Sequence, residues 1–389
     1  MKAGGFTIDA HLDLAVVERS WRELELSGVC CPYQRFDWIS GYVSVLPGED
    51  RPRTCVLSIR NESGKLALVL PLMIAARNHV RIASPPGGKH ANYFCPVMAR
   101  GAAASLDPET TRQLLRKAGA QLGIDVFMFR NALLAWAGEP NPMVLPGASP
   151  SPSNAPKTAL TPDPDALLNK MGSSESRRKL RRKEAGLAAL GELTHCVARS
   201  PGEVDDILDA FFRQKGQRFR ELGIANPFDE SWRRFIRTTC VAGLDHGNPT
   251  LELHGLLLDG RVIATCGGAV DAQRFSCMFN SFDPSAHLAR FSPGDILLTR
   301  VIRFQCGLGR TMLDLGVGEA RYKRHFCMDR EELVDVLMPV TPKGHLYGFA
   351  LKQLLNAKRG VKHSPSLWSL VQVLRSQSAK LGRYTRRDL

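Results

Sequence analysis

No apolar run in this 389-residue chain approaches the roughly 20 residues that a membrane-spanning helix requires. The longest, Leu66 to Ala76, has eleven residues and is interrupted by Pro71. The opening Met-Lys-Ala-Gly-Gly, followed by Asp9 and Asp13, lacks the apolar core of a secretory signal. Together these absences lead to the expectation of a cytoplasmic protein. Ten cysteines are present, yet no C-x-x-C occurs, and Cys30 and Cys31 are adjacent. Several others (Cys55, Cys266, Cys277) stand in strand-like apolar runs, where a free thiol behaves as a small buried hydrophobe. A zinc site is therefore not expected, and no metal is assigned. No Ser-His-Asp order is evident either, so a covalent enzyme intermediate is not expected.

Acidic residues are also scarce: 38 Asp and Glu stand against 52 Lys and Arg, a net charge of +14. The excess is clustered. From Lys343 onward there are ten basic residues and one acid, Asp388, and Arg177 to Lys183 holds six positive charges in seven residues. Such clusters attract nucleic acid, nucleotide cofactors or an anionic membrane surface; the alternative is a solvated helix face and a basic tail. No helix-turn-helix or zinc pattern supports DNA binding. With 44% hydrophobic residues, the chain is long enough for two cores.

The chain repeats an order of features once, at a spacing of about 190 residues. Phe36-Asp37-Trp38 follows an amphipathic helix at Leu14 to Leu26, and Phe228 to Trp232 follows one at Val204 to Leu222. Each is succeeded by a hairpin. Cys55 to Ile59 turns through Asn61 to Gly64 into Lys65 to Leu70, and Leu251 to Leu258 turns through Asp259-Gly260 into Arg261 to Cys266. Then N-x-F-x-P occurs at Asn92 to Pro96 and again at Asn280 to Pro284, each followed by a helix and a strand, Val126 to Phe129 or Thr311 to Leu315. The expected organisation is a first domain over 1–140, a Pro-rich linker over 141–164, a second domain over 165–342 and a basic helical tail over 343–389. Helical pieces are expected in that tail at Leu346 to Leu355 and Leu367 to Leu374.

The halves diverge after the last strand. The first runs Arg130-Asn131-Ala132-Leu133 into the prolines, whereas the second continues Asp314-Leu315-Gly316-Val317-Gly318-Glu319-Ala320-Arg321-Tyr322-Lys323-Arg324-His325-Phe326. Glycines at a strand end admit a ligand close to the backbone. Upstream, Ser292-Pro293-Gly294-Asp295 reads as a helix start with Ser292 as N-cap and Asp295 closing a capping box. The free N–H groups of such a start can also hold a phosphate.

The order strand, N-x-F-D, S-P-G-D helix, D-L-G-x-G, Y-K-x-x-F resembles the FemAB-like branch of the GNAT acyltransferase superfamily, and within it the acetyltransferase-like proteins associated with cellulose and exopolysaccharide synthesis. The resemblance implies an α/β (α+β) protein of two tandem GNAT-like domains, the first degenerate, each a mostly antiparallel mixed sheet flanked by helices. It implies an acyl-CoA donor, acetyl-CoA or another, whose pantetheine arm enters a gap between splayed strands, here Phe275 to Phe282 and Thr311 to Leu315. The donor pyrophosphate would meet Ser292, Pro293, Gly294 and Asp295, with Phe282 beside them. Phe291 and Ile296 depart from the usual Q/R-x-x-G-x-G/A loop, so aminoacyl-tRNA stands as an alternative donor. By position Tyr322 corresponds to the tyrosine that protonates the leaving thiolate. Asp314 and Glu319 are candidate bases, while Asn280, Asp283, Lys323 and Arg324 are candidate contacts to the acceptor or to phosphate. The acceptor class is a polar sugar, a lipid-linked sugar or an amine, and the basic tail is a candidate contact with an anionic membrane. A non-catalytic binding module on the same fold is the remaining alternative.

Overall fold

The computed structural model describes residues 2–46, 52–223, 225–320 and 322–363. In the first part of the chain the principal elements are β1 (Phe6–His11), α1 (Glu18–Ser27), α2 (Phe36–Ser44), β2 (Arg53–Arg60), β3 (Leu66–Arg77), β4 (Val80–Ser84), α3 (Pro108–Leu122), β5 (Val126–Leu133) and β6 (Ser149–Pro150). The second part contains β7 (Ala155–Ala159), α4 (Pro164–Lys170), α5 (Ser174–Ala188), β8 (Leu193–Val197), α6 (Pro201–Leu222), α7 (Glu230–Asp245), β9 (Leu251–Leu258), β10 (Arg261–Val270) and β11 (Arg274–Phe282). It closes with α8 (Pro293–Gly307), β12 (Met312–Asp314), α9 (Lys323–Phe326), β13 (Leu333–Pro339) and α10 (Pro342–His363).

Among the described residues two compact units result, one of 2–155 with 331–356 and one built on 156–330. Each is a mixed sheet flanked by helices, and the two sheets share one topology. The first runs β1-β2-β3-β4-β5-β13 and the second β8-β9-β10-β11-β12-β7. In each, the fourth and fifth strands are parallel and every other neighbouring pair is antiparallel. Two helices lie between the first and second strands, and a 15-residue helix (α3 or α8) makes the crossover to the parallel strand.

Local chemistry accounts for the elements. Asp259 and Gly260 have φ of 49° and 76°, the paired positive values a two-residue hairpin turn requires, and Leu258 pairs with Arg261. Asp107 caps α3 by accepting from the amides of Glu109 and Thr110, Pro108 takes the first helical position, and Gly123 ends the helix in the left-handed region.

Two boundaries differ from the sequence reading. The stretch 141–164 is not a structureless linker: Ser149 and Pro150 pair with Asp335 and Val334 of β13, and β7 pairs with β12. Its prolines sit where a missing N–H is tolerated, at a sheet edge (Pro150) and at the first position of α4 (Pro164). β13, expected inside the domain 165–342, completes the sheet of the first unit by pairing with β5 from Leu333↔Leu133 to Pro339↔Val126. The sixth strand of each sheet is thus supplied from outside the run of its other five. The expected tail helix begins at Pro342, while the helix at Leu367 to Leu374 lies outside the described residues.

Candidate functional site

In the second unit the parallel pair β11–β12 is short. Arg274, Phe275 and Ser276 pair with Met312, Leu313 and Asp314, and there the pairing stops. β11 continues through Cys277 to Phe282, held on its other side by β10, with no strand on the β12 side among the described residues. Beyond Ser276 and Asp314 the two strands no longer pair, next to the D-L-G-x-G loop and the start of α8, and these are the strands whose splaying the resemblance implies.

The loop is pinned by its own charged residues. Asp314 is fully buried; its carboxylate accepts from Ser276 Oγ (3.0 Å) and the Gly316 amide (3.0 Å), and Arg274 stands 3.8 Å away. Lys323, also buried, donates its ammonium to the carbonyls of Gly316 (2.9 Å), Val317 (3.3 Å) and Gly318 (3.0 Å). The positive φ of Gly316 (73°) and Gly318 (97°) turns these carbonyls onto one cation, which a side chain at either position would strain. Asp314, a candidate base from the sequence, and Lys323, a candidate contact to the acceptor or to phosphate, here fix the loop. Asp283 is likewise engaged, accepting from Arg261 (2.6 Å) and from the Ser285 amide (3.0 Å). Glu319 and Arg324 are exposed and face each other at 3.5 Å.

Tyr322 stands at the gap. Its ring packs on the core of the second unit, and its hydroxyl oxygen accepts from Asn280 Nδ2 at 3.0 Å. Burial, with the thiols of Cys277, Cys266 and Cys327 nearby, raises the phenol well above its ordinary range, against the lowering effect of Asn280. The phenol therefore stays protonated, and because Asn280 supplies the hydrogen of that contact, the tyrosine's own hydrogen remains for an acceptor in the gap. Phe282, at the end of β11, is 45% exposed and lies against the open side of Gly294.

The start of α8 is not the capping box expected. Ser292 has φ of 54° and makes no cap bond; its hydroxyl instead accepts from Lys183 Nζ at 2.6 Å. Pro293 has no N–H, and the amides of Asp295 and Ile296 both return to the Ser292 carbonyl. Of the first turn only the Gly294 amide is left for an anion, so positive charge there comes from Lys183. Asp295 is raised by burial, an effect that Lys183 and His325 oppose.

Farther along α8, from Thr299 to Arg303, lies a cavity of about 420 Å³ between α4, α5, α8 and α9. Arg177, Arg181, Arg300 and Arg303 enter its wall, with an apolar floor that includes Met171 and Phe326. Arg300 is held by Glu184 (2.9 Å) and Arg303 by Asp165 (2.5 Å), so four guanidinium groups face two carboxylates. The basic run on α5 was visible in sequence; the arginines of α8 were not singled out, although Thr299, Arg300 and Arg303 share one helix face by spacing. Among the described residues no group of three or more metal-ligating side chains occurs.

Residues 174–324 match the family model described as an acetyltransferase (GNAT) domain. No curated protein matches the sequence. Among solved structures, FemX superposes with a TM-score of 0.58 at 10% identity, covering 87% of this chain and 100% of that one. A conserved protein of unknown function from Bacteroides thetaiotaomicron gives 0.55 at 11% identity, over 85% and 100% of the two chains. The C-terminal domain of a protein carrying the name lysylphosphatidylglycerol synthetase, from Agrobacterium fabrum, gives 0.51 at 13% identity, over 87% and 95%. The chain thus has the tandem GNAT-like fold, with a GNAT-type domain in its second unit.

Proposed function

We propose that the protein is an acyltransferase whose reaction takes place in the second unit, between β11 and β12. The observation that carries this reading is the Asn280–Tyr322 pair at the mouth of a gap in an otherwise paired sheet. An acyl donor lying in that gap would place its carbonyl near an open strand edge, whose backbone amides can polarise it. The nucleophile attacks, and the departing group takes the proton that Tyr322, kept neutral by burial, is able to give. No covalent enzyme intermediate is needed. Asp314 and Lys323 act through the loop they fix, and Glu319, exposed beside it, is the remaining candidate to receive the nucleophile's proton.

The donor in this proposal is an acyl-CoA. Its phosphates would meet Lys183, the Ser292 hydroxyl and the Gly294 amide, with the arginine-lined cavity farther along α8. Pro293, Asp295 and Phe282 shape that entrance, and Arg324 lies at the acceptor side with Asn280. The acceptor is a polar sugar, a lipid-linked sugar or an amine, as in cell-envelope or polysaccharide synthesis. A second reading, with aminoacyl-tRNA as donor, draws on the exposed Arg178, Lys179 and Arg182 of α5. It predicts steep weakening of binding as salt rises.

Thermal unfolding with acetyl-CoA, longer acyl-CoAs and free CoA tests the proposal. A ligand confined to the folded state stabilises by about 2.7 kcal/mol at 100 times its dissociation constant. The expected shift should disappear in Gly294→Leu, because a larger side chain there would fill the space against Phe282. No shift with any of these ligands at millimolar concentration would reject the CoA donor.

A further inference from the structure

α10 is amphipathic in an unusual sense: its apolar residues lie on both faces. Gly344 and Leu355 are buried against the first unit, and Gly344 packs so closely on the Asp125 carbonyl that a side chain would not fit. On the opposite face Leu346 is 74% exposed, Phe349 65% and Leu354 52%. With Ala350 and Gln353 these follow i, i+3, i+4, i+7, i+8, so they form one stripe along the helix. Lys343 and Lys352, both exposed, flank it. Other large apolar side chains are exposed elsewhere, Leu26 (79%) and Val16 (69%) among them, but Leu346, Phe349 and Leu354 stand together on one helix, and a contiguous apolar stripe of this kind marks an interaction surface.

We propose that this outer face of α10 is a docking surface for an anionic lipid bilayer, lying in the headgroup plane with Leu346, Phe349 and Leu354 inserted. Charge selects this partner. Lys343 and Lys352 flank the apolar stripe, and the sequence from Lys343 carries ten basic residues against one acid, so the charge of this segment favours an anionic partner over a second copy of itself. A nucleic acid would satisfy that charge but would leave Leu346 and Phe349 against phosphates. An anionic bilayer satisfies both: apolar side chains enter the acyl boundary while lysines stay among the headgroups. The inference does not depend on the acyltransferase reading, since vesicle binding requires neither donor nor catalysis.

The full chain should co-sediment with mixed phosphatidylcholine–phosphatidylglycerol vesicles and not with phosphatidylcholine alone, and the binding should weaken as salt rises. Leu346→Glu combined with Phe349→Glu should weaken it at least about tenfold with an unchanged Tm, because both side chains already face water. Phe349→Trp should gain a blue-shifted fluorescence on the mixed vesicles above the wild-type background. Three results would overturn the proposal: no binding to either vesicle, binding untouched by the double substitution, or a wild-type dimer that the double substitution disperses without any vesicle binding. An unshifted indole fluorescence from the Phe349→Trp variant at saturating lipid would do the same.

Discussion

The two units carry the same N-x-F-x-P motif, in the first beyond the end of β4 and in the second across the end of β11, and they pack it differently. In the first, Asn92 donates to the Tyr33 hydroxyl (2.6 Å); in the second, Asn280 donates to that of Tyr322 (3.0 Å). The phenylalanine two residues on is 2% exposed as Phe94 and 45% exposed as Phe282. The cause is the stretch between the parallel strands. In the first unit Phe94 bonds through its amide and carbonyl to Asn131 and Leu133 and bridges to Ala132, zipping the gap shut. Its ring stacks on Phe129 at 5.0 Å, and Tyr93 packs on Trp136. In the second unit β12 stops at Asp314, the glycine loop that follows is held by Lys323, and Phe282 makes no bridge to it like that of Phe94 among the described residues. In the first sheet the stretch beyond the parallel pair is closed by packing; in the second it is where the proposed acyltransferase reading puts the donor.

The sharpest way to break this comparison is to remove one hydroxyl from each unit. Tyr322→Phe should lower turnover by about 10²- to 10⁴-fold, the usual range for a lost general acid, while donor-induced thermal stabilisation persists. Tyr33→Phe should leave turnover within a factor of two or so and cost about 1 kcal/mol of stability, the worth of one ordinary hydrogen bond. Equal effects on turnover from the two substitutions would remove the reason for placing the reaction in the second unit.

The paired phenylalanines sharpen it next. Phe94→Ala should destabilise by about 3–5 kcal/mol in urea unfolding, since it empties a packed site and unzips the closed gap. Phe282→Ala should cost less than about 1 kcal/mol and act instead on donor affinity. If Phe282→Ala proved as destabilising as Phe94→Ala, the second gap would be closed in solution.

Much of this comparison was legible in the sequence, for physical reasons. The duplication showed because hairpins and helix starts are local, with turn chemistry such as Asp259-Gly260 that fixes strand register within a few residues. The strand exchange did not show. β13 meets β5 about 200 residues away, as when the Asn131 amide donates to Asp335 (|i−j| = 204), and no local pattern encodes that partner. At the site, Tyr322 and Asn280 were singled out by position, while the bonds that tie Asp314 and Lys323 into the glycine loop could not be read from the sequence. A buried lysine that ties down three carbonyls looks in sequence like any lysine beside a glycine loop. Ser292 is not the expected cap because its backbone is left-handed rather than extended, and its hydroxyl meets Lys183, 109 residues earlier.

The smallest expected effect concerns one buried carboxyl in each unit. Burial pushes Glu25 up to about 7, despite the Phe36 amide it accepts from and the nearby Arg35. Burial also acts on Glu252, but His254 and the paired guanidinium of Arg310 (2.6 Å) outweigh it and bring the group down to about 2. The signs are opposite. The folded state favours neutral Glu25, so that contribution is complete below the unfolded value of about 4.5 and is lost as pH rises towards 7. The folded state favours ionised Glu252, so that contribution is complete above about 4.5 and is lost as pH falls towards 2. Glu25→Gln mimics the neutral form and should raise stability at pH 8 by on the order of 1–3 kcal/mol, with little change at pH 4. Tm measured across pH 4 to 9 for wild type and Glu25→Gln would check this. Parallel curves would mean that Glu25 is ionised in the folded protein, and that its ion pair with Arg35 prevails over burial.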